Sequence, residues 1–170
     1  MLNIQDYKLG ENTKLLTLAT VDDFRVTSLA LAQQARRTLH IFTQDLDHAL
    51  FDIAEFEEAT SQLARHSQYS HVRILLQDSS AAVRRGHRLV DLAHRLSSHI
   101  AIRKPIAEYA DLRQSFLLAD ETGYVSRQMA DRYSGVADFN DRSTARNLVN
   151  LFNEVWERSQ SDPQLRRLYL

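Results

Sequence analysis

An α/β layered domain, with a mixed sheet flanked by helices, is the fold the sequence predicts, and three observations carry it. Hydrophobic spacing switches repeatedly between helical and strand periods over residues 20–103. The short runs TLHIFTQ (38–44) and HVRILLQ (71–77) are apolar enough to be buried on both faces, as strands of a parallel sheet are. From 115 to 139 the runs SFLLA, YVSRQM and GVADF follow one another with no helical pattern between them. Helix and strand alternating in the first part imply right-handed crossovers, and closely spaced strands in the second imply a hairpin.

Each element has its own reason. Thr20-Val-Asp-Asp23 has the form of a capping box with Asp in place of the usual Glu, so a helix starts there and runs to Arg37. After the strand 38–44, Leu46, Leu50, Ile53, Ala54, Glu57, Thr60, Leu63 and Ala64 fall mostly at three- and four-residue steps. They predict one helix whose apolar stripe is interrupted by Glu57 and Thr60. Beyond the strand 71–77, a second capped helix is expected from Ser80 to Leu96, with Val83, Gly86, Val90, Ala93 and Leu96 inward. IAIR (100–103) is the next strand, stopped by Pro105.

SFLLA (115–119) and YVSRQM (124–129) flank Asp-Glu-Thr-Gly, a four-residue hairpin loop in which Gly123 can take positive φ. GVADF (135–139) is a further candidate strand. Asn140 or Asp141 then caps a helix with the apolar face Ala145, Leu148, Val149, Phe152, Val155 and Trp156, and Asp162-Pro163 starts a last short turn or helix. No Pro-, Gly- or Ser-rich linker and no repeat divides the chain. The expected organisation is an N-terminal segment (1–19), one domain (20–158) and a C-terminal tail or short helix (159–170).

Composition bounds the function. The chain has 170 residues, 44% hydrophobic and 25% charged, as expected of an ordinary soluble globular domain with a sizeable core. With 21 basic against 22 acidic residues, no global field recruits nucleic acid or an anionic membrane, so anion binding must come from a local cluster. Only Lys8, Lys14 and Lys104 are lysines, so most positive charge is arginine, which suits forked recognition of carboxylate and phosphate. Absence of Cys excludes disulfides, thiolate metal sites and Cys nucleophiles. No apolar run approaches the roughly 18 residues of a membrane span, and the polar start MLNIQDYKLGENTK lacks a signal-peptide core, so the expected location is the cytoplasm. The seven histidines are scattered without the spacing of a metal site, and no cofactor is implied.

One stretch carries a motif spacing. In RQSFLLAD, Arg113, Ser115 and Asp120 stand at the first, third and eighth positions of His-x-Lys-x-x-x-x-Asp. With that spacing, the Asp-x-x-Gly turn and the segment IFTQDLDHALFD leading into its helix, residues 20–158 resemble a single phospholipase D-like domain. The resemblance implies the same fold and a phosphohydrolase in which the His is nucleophile, the Lys binds phosphate oxygens and the Asp supports the site. Carried across, that chemistry fails. Arg113 stays protonated and has no free lone pair, and Ser115 cannot supply a lysine's charge. The family's Gly-Ser pair is replaced by Arg127-Gln128, and the Asn beyond it by Asp131. The resemblance is to bacterial stand-alone domains that carry a degenerate version of this motif, and single-motif domains of the family tend to pair as homodimers.

A possible anion pocket survives. Arg113 and Arg127 are expected on neighbouring hairpin strands, and Arg103 at the end of the preceding strand, where open α/β sheets bind ligands. With Ser115 and Asp120 they form the candidate ligand site. The alternative is a strand whose ends carry surface ion pairs worth under about 1 kcal/mol each. His87, among Arg84, Arg85 and Arg88, is expected on a solvated helix face, and Asp45 of Asp45-Leu46-Asp47-His48 is read as a helix N-cap. Three functions stay open: a non-catalytic module binding an anionic small molecule, a nucleotide or a protein partner, a phosphodiesterase with a recruited base such as His48 or His87, and a purely structural interaction domain.

Overall fold

The computed structural model describes residues 3–166. It is a mixed α/β structure built on one eight-stranded sheet in the order β1-β7-β6-β5-β2-β3-β4-β8. The strands are β1 (Leu16–Leu18), β2 (Thr38–Thr43), β3 (His71–Leu76), β4 (Ile100–Pro105), β5 (Ser115–Ala119), β6 (Gly123–Arg127), β7 (Gly135–Asp138) and β8 (Ser159–Gln160). β2, β3 and β4 run parallel, each joined to the next by helices, and the remaining pairings are antiparallel. This is the layered α/β class expected from the alternating periods.

Helices α1 (Val21–Gln34), α2 (His48–Phe51), α3 (Ala54–Ala64), α4 (Ser80–Arg85) and α5 (Arg88–Arg95) supply Phe24, Leu31, Phe51, Phe56, Ala82 and Val90 to one core layer, which meets Leu39, Ile41, Ile74 and Leu117 of the sheet. The other face is covered by α6 (Arg142–Glu157), where Phe152, Val155 and Trp156 pack on Phe42, Leu75, Phe116 and Leu118. Alternate residues of β2 and β5 thus serve different layers, which is why both runs read as continuously apolar. Each fully buried side chain of this size contributes roughly 1.5–3 kcal/mol. A four-residue helix, α7 (Pro163–Arg166), closes the described chain.

Helix starts follow their sequence signals. Thr20 and Asp23 form the expected capping box, and Asp141 caps α6 by accepting from Thr144 N at 3.0 Å. Elsewhere polar groups redraw the elements. The helix expected over 46–64 is broken at Asp52, whose carboxylate accepts the Arg88 backbone N–H (3.0 Å). Thr60 is nonetheless fully buried, because its hydroxyl donates to Phe56 O. The helix expected over 80–96 breaks at Gly86 (φ +73°), and His87 caps the second piece from a buried position instead of lying on a solvated face. Pro105 ends β4 two residues later than expected, at the two-residue edge strand β8. Residues 16–18, within the N-terminal segment, add β1 to the sheet beside β7.

The hairpin turn is tighter than a four-residue loop. Ala119 pairs with Gly123, and Asp120 and Glu121 take the left-handed conformation (φ +53° and +54°), with Thr122 N donating to Ala119 O. Gly123 does not take positive φ; a Cβ there would lie 2.6 Å from Leu9 Cδ1 and 3.0 Å from Leu31 Cδ2, so those leucine ends would have to shift.

Candidate functional site

Parallel strands β2, β3 and β4 end together, and the crevice beyond their carboxyl ends is where sheets of this kind bind ligands. At that edge, β2 runs into the loop 44–47. Thr43 Oγ1 accepts the Leu46 N–H (3.0 Å), and Leu46, fully buried, takes the left-handed conformation (φ +58°). For a non-glycine residue that costs about 1–2 kcal/mol, and it turns Asp47, not Asp45, into the N-cap of α2: Asp47 Oδ1 accepts from Ala49 N at 2.9 Å.

The same carboxylate anchors the edge. Its Oδ2 accepts from Arg127 Nη2 (3.1 Å) and from the Tyr133 hydroxyl (2.7 Å). Arg127 is 5% exposed; its guanidinium lies 4.8 Å from the Tyr133 ring centre and 5.6 Å from that of Phe24, and donates also to Arg132 O. Charge pair and aromatic faces together satisfy a buried cation. Burial and the bond to Asp47 push the Tyr133 phenol up to about 12, so it remains a donor.

Ser115 stands directly across from Arg127 on β5, on the same face, and its hydroxyl donates to Phe42 O at 3.0 Å. The space lined by Phe24, Leu50, Phe51, Ser115 and Arg127 amounts to about 10 Å³, on the order of one water. Arg113 lies outside β5, exposed, at the mouth of an open cavity of about 300 Å³ that it shares with Gln44, Asp45, Met129, Ala130 and Asp131. Two carboxylates at that mouth offset its charge.

The five residues expected to form one ligand site are therefore not together. Arg127 and Ser115 meet, and Arg113 is beside them at the rim. Arg103 is on β4, four strand spacings from β6, or about 19 Å. Paired with Leu75, it faces the α6 layer, where it lies 4.7 Å from the Trp156 ring centre. Asp120 is at the other end of β5, five residues or about 17 Å from Ser115. There its carboxylate accepts the backbone N–H groups of Arg36, Arg37 and Thr38 at 2.7–3.1 Å. Asp47 and Tyr133 are the residues the sequence reading missed as members of the edge. The signal for Asp47 was present, since it immediately precedes the helix HALF and Asp45 does not.

Nearby imidazoles are also committed. His87, 2% exposed, accepts the Leu89 N–H on Nδ1, so Nε2 carries the proton donated to Leu46 O (2.9 Å). Burial pushes its pKa down to about 4. His48 Nε2 lies 3.1 Å from Gly86 O, a carbonyl that can only accept.

Solved structures of phospholipase D family members share this layered fold. Nuc from Salmonella typhimurium, a phospholipase D family member, superposes with a TM-score of 0.62 at 11% identity, over 89% of this chain and 99% of that one. NucT from Helicobacter pylori gives 0.60 at 11% identity, over 89% and 100%. TrmBL2, an archaeal chromatin protein with a novel mode of DNA binding, gives 0.66 at 12% identity over 94% of this chain, which spans only 57% of TrmBL2. These likenesses concern the fold. By sequence, residues 20–168 match the family described as "Domain of unknown function (DUF7931)", and the chain belongs to that family. No curated protein matches it. Among the described residues no helix is long and apolar enough to cross a membrane.

Proposed function

We propose that this protein is a phospholipase D-like module that has given up the fold's phosphohydrolase chemistry and acts by binding, with Arg113, Ser115 and Asp120 as a degenerate form of the His-x-Lys-x4-Asp motif. The observation that carries the reading is the closed edge: Asp47 Oδ2 binds both Arg127 and Tyr133 where a phosphate would have to sit, and about 10 Å³ is left between Ser115 and Arg127. An incoming phosphodiester would have to displace a buried ion pair. Ser115 has no base to activate it, since its hydroxyl is donated to a backbone carbonyl. A phosphodiesterase with a recruited base is disfavoured because His87 uses both ring nitrogens and His48 uses Nε2 within the fold.

The test is hydrolysis of bis-p-nitrophenyl phosphate by purified protein. The expected rate is that of buffer. Turnover that disappears in His48→Ala or His87→Ala overturns the proposal in favour of altered phosphodiesterase chemistry. Assembly belongs to the same proposal: a domain with one motif edge is expected to pair about a two-fold axis, sedimenting near twice 19.6 kDa. A monomer at every concentration tested removes that part of it.

A further inference from the structure

A cleft of about 710 Å³ lies at the opposite edge of the sheet, between residues 5–11, the end of α1, the β5–β6 turn and the start of α6. Four cations from three separate segments line it: Lys8, Arg36, Arg37 and Arg142. Among the described residues none of the four takes part in an ion pair. The lining contains two acids, Glu11 and Asp120, and the Asp120 carboxylate is already occupied by three backbone N–H groups. A local excess of positive charge therefore stands in a chain whose overall net charge is −1.

This cleft is built, not incidental. Asp120 fixes the backbone of 36–38 and so fixes where the Arg36 and Arg37 stems begin. Gln34 holds the opposite wall, accepting from Leu9 N (2.7 Å) and donating to Tyr7 O (2.9 Å). Gly10 N donates to Phe139 O at 2.8 Å, and Leu9 packs onto the bare Cα of Gly123. The N-terminal segment is thereby pinned across α1 and the hairpin as one rim of the cleft.

We infer that this cleft binds an organic phosphate of nucleotide size, with Arg36, Arg37, Arg142 and Lys8 on the phosphates and the amides of Gln5 and Gln33 beside the organic body. Guanidiniums that converge without a carboxylate partner are suited to forked bonds with phosphate oxygens. The volume falls within the 300–1,000 Å³ range typical of small-molecule sites and far exceeds the needs of inorganic phosphate. The site lies at the far end of β5 from the closed edge and holds whether or not that edge is catalytic.

Calorimetric titration of the full chain with ATP, AMP and tripolyphosphate, at constant ionic strength in chloride, tests it. The expected result is saturable one-to-one binding of ATP, tighter than tripolyphosphate, weakened at least tenfold in Arg37→Gln/Arg142→Gln and unchanged in Arg113→Gln. All three arginines are exposed, so folding, monitored by thermal melts, is expected to survive. Absence of saturable binding by any of the three probes at millimolar concentration overturns the inference, as does binding retained in the double variant or lost in Arg113→Gln. Equal affinity for ATP and tripolyphosphate overturns the nucleotide part. Tighter binding of a ten-residue single-stranded oligonucleotide than of ATP replaces the small molecule with nucleic acid.

Discussion

At the two ends of β5 the protein treats arginine in opposite ways. At the carboxyl edge of the parallel strands Arg127 is buried, paired with Asp47 and covered by Tyr133 and Phe24. At the other edge Arg36, Arg37 and Arg142 are exposed around an open cleft, and of the two acids that line it Asp120 is turned to backbone N–H groups instead. Charge alone does not distinguish these sites. What differs is desolvation: a cation taken out of water must be matched within the fold, whereas a solvated one keeps its field available to a ligand. At the edge expected to be functional, the charges of Arg127 and Asp47 are therefore consumed by folding.

Removing Asp47 is the strongest way to break that contrast. Asp47→Ala strands the Arg127 guanidinium, removes the acceptor of Tyr133 and uncaps α2, and is expected to cost about 3–5 kcal/mol in urea unfolding. Arg127→Met in the same chain should recover part of the loss by eliminating the unpaired charge. If Asp47→Ala is neutral, the pair is solvated and the edge is open. Asp120→Ala comes next, with an expected loss of about 2–3 kcal/mol, since a charged acceptor of three backbone N–H groups is removed from a left-handed position that Ala tolerates poorly. Asp120→Asn should lose less. A stability change under about 0.5 kcal/mol would mean that the turn 36–38 does not depend on it.

Much of the sheet was legible because its cues are local. The runs at 38–44, 71–77 and 115–119, the capping box at Thr20 and the apolar stripe of α6 all follow from spacing within a few residues. The edge was not legible for two reasons. The Arg127–Asp47 bond joins residues 80 apart in sequence, and no local pattern chooses one carboxylate among several. Strand parity also matters: Arg103 was expected beside Arg113, but pairing with Leu75 turns it to the α6 face, a register that depends on three other strands. The motif spacing misdirected Asp120, because the five residues of β5 carry it to the opposite edge from Arg113 and Ser115.

Between the two edges, His40 represents a third condition: polar, 2% exposed and with neither ring nitrogen hydrogen-bonded. It stacks on Phe152 at 4.7 Å, and burial, with smaller contributions from His71 and Arg73, pushes its pKa down to about 3. The unfolded chain takes up that proton near pH 6.5, whereas the folded chain resists until about pH 3. Stability is thus full above pH 6.5 and falls as pH drops through this window, by up to about 1.4 kcal/mol per pH unit for one histidine. His40→Leu is expected to raise stability at pH 7 by about 1–2 kcal/mol and to flatten the acid slope. A destabilised variant with the slope unchanged would mean that the ring is satisfied and that another group, such as His87, sets the acid limit.

The smallest expected effect makes the sharpest comparison, because it applies one substitution type to both edges. Arg127→Gln removes a matched, buried cation and leaves Asp47 facing an amide, so it should destabilise by about 3 kcal/mol or more. Arg37→Gln and Arg142→Gln remove solvated cations with no ion-pair partner, and each should move stability by under about 0.5 kcal/mol, with any gain shrinking as salt screens the mutual repulsion of the cluster. Unfolding of all three variants at low and high chloride would separate the cases. If Arg142→Gln costs as much as Arg127→Gln, its guanidinium is part of the fold, and the distinction between consumed and available charge at the two ends of β5 fails.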